Sequence, residues 1–122
     1  MSDSDHRRAW RLYVHDMIEF CERVGNYTEG RDQAAFVSDS LRYDATIRNL
    51  ELIGEAATHV PQSVRDRFAD VPWRAIVGLR NRLIHGYGGI DNDIIWTLVQ
   101  DAVPKLLPAL RDLLDRTSED SP

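Results

Sequence analysis

Five side chains within eight positions have the makings of a phosphodiester-cleaving site: Arg80, Asn81, Arg82, His85 and Tyr87 in the stretch GLRNRLIHGYGGID. Arg80 offers a planar guanidinium fork that matches two phosphate oxygens at once. His85 carries an imidazole, which titrates near neutrality and can take or give a proton. Asn81 lies four residues before His85, so on a helix the two stack on one face, and its amide can orient the ring or hold a phosphate oxygen. Arg82 adds charge, and Tyr87 lies at the exit among Gly86, Gly88 and Gly89. The segment from Val71 to Ile90 contains no Asp or Glu while it holds Arg74, Arg80 and Arg82, although the whole chain has 20 acidic residues and a net charge of −5. The site is therefore a local reversal of sign on an acidic body, and broad, nonspecific nucleic-acid binding is not expected.

Other chemistries are poorly supported. The histidines His6, His15, His59 and His85 are scattered over four segments, and the single Glu55/His59 pair lacks the spacing of a di-iron bundle and a second copy, so no metal is expected. His59 reads as a cap for the carbonyls at a helix end. There is no phosphate-cradling Walker loop and no nucleophile elbow. Cys21, the lone cysteine, sits among Met17, Phe20 and Val24 and reads as a packed thiol in a reducing cytoplasm. The polar N-terminus has no signal-peptide core, and no apolar run is long enough to span a membrane.

The elements that must hold the cluster follow from periodicity. With 122 residues, 43% of them apolar, the chain is expected to be one domain, residues 1–122, with a frayed tail at 115–122. Trp10, Tyr13, Val14, Met17, Cys21 and Val24 recur at helical spacing in a first helix from about Asp5 to Tyr27. Asp32–Val37 reads as a helical turn. A second long helix opens at Ser38 or Asp39 and runs to about His59, with Leu41, Ala45, Leu52, Ile53, Ala56, Ala57 and Val60 on its apolar side. Gly54, inside it, costs about 1 kcal/mol relative to alanine and points to close helix–helix approach. A connector, PQSVRDRFADVP, leads to a third helix from Pro72, placed as its first residue, to about His85. The last helix starts near Asp91–Asp93, and Pro104 and Pro108 predict a kink or break near Val103. Glu51 and Glu55 read as solvated surface. The expected fold is all-α: an up-and-down bundle of four main helices plus short helical turns, with the last helix kinked.

RNRLIHGY resembles the R-x4-H-x-Y motif of the HEPN superfamily (higher eukaryotes and prokaryotes nucleotide-binding), in its HepT-like toxin branch. Arg80 takes the arginine position, Asn81 the polar position after it, His85 the histidine and Tyr87 the tyrosine. DATIRNLELIGEAA, VPWRAIVGLRNRLIHGYGGID and IIWTLVQDAVPKLL are similar to the same family, so the resemblance covers about Leu12 to Leu110. It implies a dimeric, metal-independent endoribonuclease toxin with no cofactor, paired with a minimal nucleotidyltransferase antitoxin that transfers AMP to Tyr87. Arg80 and His85 are then the expected catalytic pair, with Asn81 and Arg82 supporting. The alternative is a noncatalytic subunit that holds a nucleotide or docks a nucleotidyltransferase.

Overall fold

The computed structural model describes residues 3–84 and 91–118, with side chains described over 9–83 and 91–118. Among these residues the fold is all-α. The helices are α1 (Asp3–Thr28), α2 (Gln33–Ser38), α3 (Ser40–Ala57), α4 (Gln62–Arg67), α5 (Trp73–Val77), α6 (Leu79–Ile84), α7 (Asn92–Thr97) and α8 (Val103–Thr117), and a π-helical turn, Leu98–Ala102, joins the last two. No described helix is long and apolar enough to cross a membrane.

The starts of three helices follow side-chain chemistry. Asp32, Asp39 and Asp91 each accept a hydrogen bond from a backbone N–H of the first turn, so each satisfies a donor that the helix itself leaves free. The expected helical turn at Asp32–Val37 is thus α2 with Asp32 as its cap, and the last helix opens one residue after Asp91. Pro72 stands one position before α5 rather than as its first residue.

α3 is the central element, packed against α1, α2, α5 and α6, while α1 also packs along α8. At one end of the α1–α3 pair the Arg42 guanidinium reaches the Tyr27 carbonyl (3.5 Å), and at the other the Tyr13 and His59 rings stack 4.0 Å apart, so the two helices run antiparallel. α1 and α8 are antiparallel too: Arg11 bonds Thr117 Oγ1 and the Leu114 carbonyl, while Glu22 pairs with Arg111. The α1 stripe enters the core as expected: Trp10, Val14, Met17, Cys21 and Val24 are buried. Desolvation, with the neighbouring Glu22 carboxylate adding to it, pushes the Cys21 thiol up to about 12, so it stays protonated and unreactive near neutral pH.

Two expectations need correction. Leu41 is 83% exposed; it sits in the first turn of α3, ahead of the buried stripe of that helix. His59 does not cap α3. That work falls to Arg65, which donates to the carbonyls of Ala57 (2.8 Å) and Val60 (2.9 Å), leaving the His59 ring to stack on Tyr13. α8 continues to Thr117, whose buried hydroxyl donates to the Leu113 carbonyl and accepts from Arg11. The kink or break expected near Val103 falls where the π-helical turn gives way to α8. The prolines act through that turn: Pro104 has no N–H for the Gln100 carbonyl, the turn before it widens, and Val103 N–H bonds back to Leu98 O, five residues away. Backbone angles stay in the right-handed helical region at Leu98, Ala102 and Val103. Pro104 and Pro108 are both exposed, four residues apart on the outer side.

Gly54 is the tightest point of the bundle. A methyl group built on it would come within 2.7 Å of the Ile76 carbonyl oxygen and 3.8 Å of the Arg80 nitrogen. Close approach of α3 to the α5–α6 unit therefore requires glycine there, as its place in the sequence suggested. Further ties hold α7 to α3 and α2: the half-buried Tyr43 hydroxyl of α3 donates to Asn92 Oδ1 (2.6 Å), and Gln33 Nε2 of α2 donates to Asp93 Oδ1 (2.6 Å) beside it. Burial first, and then the charge of Asp44, raises the Tyr43 phenol, which keeps it a donor. Gly54→Ala should lower stability by roughly 1–3 kcal/mol, because the clash is with backbone and outweighs the helix-propensity gain of about 1 kcal/mol. Chemical denaturation beside wild type checks this. Tyr43→Phe removes one hydrogen bond and should cost about 1 kcal/mol by the same measurement.

Candidate functional site

The segment that carries the sequence-predicted cluster is bound down on one side only. Trp73, Ile76, Leu79 and Leu83 are buried, at spacings of three, three and four, and Trp73 Nε1 donates to the Phe68 carbonyl (3.0 Å). The expected single helix from Pro72 to His85 is interrupted at Gly78, between α5 and α6. The interruption is slight. Gly78 keeps right-handed helical angles, Gly78 N bonds Arg74 O (3.1 Å), and Arg82 N bonds Gly78 O (3.1 Å), so each helix is tied to the glycine between them.

The structure places Arg80, Asn81 and Arg82 together on α6, all exposed. Arg80 lies on the turn that Gly54 admits, with its backbone nitrogen against α3. Asn81 and Arg82 face outward. Arg82 also lines a small apolar cavity of about 80 Å³ between α3, α6 and the π-helical turn, bounded by Leu50, Ile53, Leu79 and Leu98. Its aliphatic stem therefore packs while its head stays in water. His85 and Tyr87 lie outside the described residues; α6 ends at Ile84, the residue before His85. Glu51 and Glu55, on α3, do not brace this cluster: Glu51 is less solvated than expected and pairs with Arg48 (3.5 Å), and Glu55 is exposed.

The electrostatic state of the cluster sets it apart. Other described arginine side chains have partners. Arg23 pairs with Glu19, Arg31 and Arg42 with Asp39, Arg48 with Glu51, Arg111 with Glu22 and Arg116 with Asp112. Arg11 and Arg65 bond backbone carbonyls, and Arg67 is also engaged. Arg74, Arg80 and Arg82 have neither a hydrogen bond nor an ion pair with any described residue. Exposed ion pairs contribute little to stability, so the contrast matters for binding rather than folding: among the described residues, three guanidinium forks remain to accept an anion. Among the described residues no group of three or more His, Cys, Asp or Glu is arranged to hold a metal ion.

Sequence reading missed two features here. It left Arg82 without a packing role, which needs the neighbouring helices to be visible. It also noted Arg74 only as part of an acid-free run, whereas the helical angles at Gly78 place it on the same outward side as Asn81 and Arg82.

Comparison with known proteins adds the family. The model of the family described as "Ribonuclease HepT-like" matches residues 17–113. "Putative RNase MJ1380" of Methanocaldococcus jannaschii is 38% identical over 100 residues, covering 82% of this chain and 92% of that protein. "Putative RNase TTE0752" of Caldanaerobacter subterraneus is 33% identical, covering 87% of this chain and 95% of its own length. "Probable ribonuclease HepT" of Thermococcus cleftensis is 32% identical, covering 82% and 91%. No solved structure gives a significant match. With the matched region running from the middle of α1 almost to the end of α8, and so including the whole α5–α6 segment, the chain belongs to the HepT-like family.

Proposed function

We propose that the chain is a metal-independent endoribonuclease whose reaction centre is built from Arg80 and His85, with Asn81 and Arg82 in support. The observation that carries this reading is the set of guanidiniums on α6 that no described residue partners, immediately before His85, in a segment without a single acidic side chain. Family membership and the names of the relatives agree with it.

The chemistry is transesterification. A base removes the proton of the ribose 2′-hydroxyl, the 2′-oxygen bonds to phosphorus, the bond from phosphorus to the 5′-oxygen breaks, and an acid returns a proton to the departing oxygen. The products are a 2′,3′-cyclic phosphate and a 5′-hydroxyl. The motif supplies one histidine per chain, which cannot fill both roles in one step, but two can across a two-fold axis, and two-fold dimers are the commonest closed assemblies. In this reading one His85 is the base and the partner's His85, protonated, is the acid. Arg80 holds the phosphate oxygens as charge builds on them, and Asn81 orients the imidazole or the phosphate.

Regulation belongs to Tyr87. Transfer of AMP to its hydroxyl by a nucleotidyltransferase antitoxin would put a phosphate and a base-sized group beside the same arginines and exclude RNA. A second reading, a noncatalytic subunit that holds a nucleotide or docks the transferase, draws on the net charge of −5, since RNA enzymes usually present more positive field.

Metal-free cleavage of single-stranded RNA in a chelator separates the two. Wild type should cut and leave cyclic-phosphate ends, and His85→Ala should lose at least ~10²-fold in rate. Equal rates for the two proteins would remove His85 from the chemistry. Incubation with a cognate nucleotidyltransferase and ATP, followed by peptide mass spectrometry, should place AMP on Tyr87; an adduct on another residue refutes that assignment.

A further inference from the structure

The outward side of α5 and α6 carries more than the proposed reaction centre uses. Arg74, Gly78, Asn81 and Arg82 follow one another at spacings of four, three and one. The bonds Gly78 N to Arg74 O and Arg82 N to Gly78 O, with helical angles at Gly78, carry the chain from α5 into α6 with little change of direction, so the four residues lie on the side away from the buried Trp73, Ile76, Leu79 and Leu83. Arg74 and Arg82, at the two ends of the strip, are exposed and without partners among the described residues. Between them Gly78 has no side chain. A methyl group there would meet only the carbonyls of Arg74 (3.3 Å) and Ala75 (3.6 Å), so the middle of the strip is low and open.

Arg74 also borders a surface groove of about 840 Å³ between α4 and α5, lined in part by Gln62, Pro72, Trp73 and Ala75. Two other charged groups line the groove, and the carboxylate of Asp66 keeps its negative charge there because its partner is a neutral amide. Asp66 accepts a hydrogen bond from Gln62 Nε2 (2.9 Å), and Arg65 is bound to the carbonyls at the end of α3. The cation that remains for a ligand in this groove is Arg74.

We propose that this side of α5–α6 is a track for the phosphates of single-stranded RNA, running from the reaction centre over Arg82 and Gly78 to Arg74 and the groove beyond. The inference rests on the ribonuclease reading and adds Arg74 as a substrate-positioning residue. Arg74 and Arg82 are separated by about 12 Å along the helix axis at 1.5 Å per residue. That is several times the ~3.4 Å axial step between phosphates of one duplex strand, so Arg74 meets a different phosphate from the one being cleaved. An unpaired strand fits better than a duplex. In-line attack needs a backbone that can turn its 2′-oxygen behind the leaving group, and a strip one helix wide tracks one strand rather than two.

The test is binding of a fluorescent single-stranded oligoribonucleotide to the full chain carrying His85→Ala, followed by anisotropy over a range of NaCl concentrations. Adding Arg74→Ala should weaken binding and flatten the plot of log affinity against log salt by about 0.7 for each phosphate the protein no longer neutralises. Arg74→Lys should restore the slope, because it keeps the charge. Arg23→Ala makes the same change in net charge on the outer side of α1, and should leave the slope unaltered. Overlapping plots for Arg74→Ala and Arg23→Ala, or no binding by any of these proteins, overturn the track. Cleavage by the chain with native His85, assayed in parallel, keeps the two readings apart. Cleavage without an Arg74 effect sinks the track alone, and an Arg74 effect without cleavage sinks the nuclease alone.

Discussion

The approach of α3 to the α5–α6 unit at Gly54 is the constraint on which the geometry of this protein turns. The Ile76 carbonyl oxygen occupies space that any other residue at position 54 would fill with a methyl group or more. Because the carbonyl is backbone, it cannot swing aside as a side chain would. The contact fixes how deeply α5–α6 sits in the bundle, and through the Arg80 nitrogen on the next turn it fixes where the guanidinium of Arg80 begins. Leu50, Ile53, Leu79 and Leu83 are buried, so the floor of the candidate site is apolar while its outer side stays polar and open. A cluster of charges on a short, isolated helix would be poorly positioned, since six-residue helices are marginal alone in water. Docking on α3 gives it rigidity.

The ends of the bundle solve a related problem, that of carbonyls and N–H groups left unmatched where helices stop. Aspartates at 32, 39 and 91 serve the starts. Arg65 and Arg11 reach across the chain to serve the ends of α3 and α8. The prolines of the last helix create the same need in mid-helix, met by a widened π-helical turn with Pro104 and Pro108 facing water. Most described arginines are thereby consumed in structural duty or surface pairs, and the few without a described partner lie together.

Much of this is legible from residue order. Helical periodicity locates α1, α3 and α8; the three capping aspartates stand where a helix start is expected; and the cost of a glycine inside α3 points to the close approach at Gly54. The misreadings share a cause. A leucine at helical spacing near a helix start looks like core, yet Leu41 is exposed and the stripe on α3 begins one turn later, at Thr46 and Ile47. His59 looks like the cap that Arg65 in fact provides, because a long arginine arriving from the next helix leaves no local signature. Proline removes a donor, and so suggests a kink or break near Val103, where the π-helical turn does meet α8, but spacing alone does not say whether the helix stops or widens. At the site, residue types identify Arg80, Asn81 and Arg82, but the alignment of Arg74 with them depends on Gly78 staying helical, which a glycine in sequence does not promise. His85 and Tyr87 rest on the motif and the family.

The uneven distribution of charge has a consequence for encounter. At 0.1 M salt a charge is felt over about 10 Å, so a polyanion arriving from most directions meets the field of an acidic body and is turned away. Within that distance of the α5–α6 side, attraction to its guanidiniums opposes the repulsion. Capture would be a short-range event, without the long-range steering that a uniformly basic surface gives, and the protein would spend little time stuck to nucleic acid in unproductive orientations. An acidic chain is then not at odds with an RNA substrate: its repulsion selects the direction of approach.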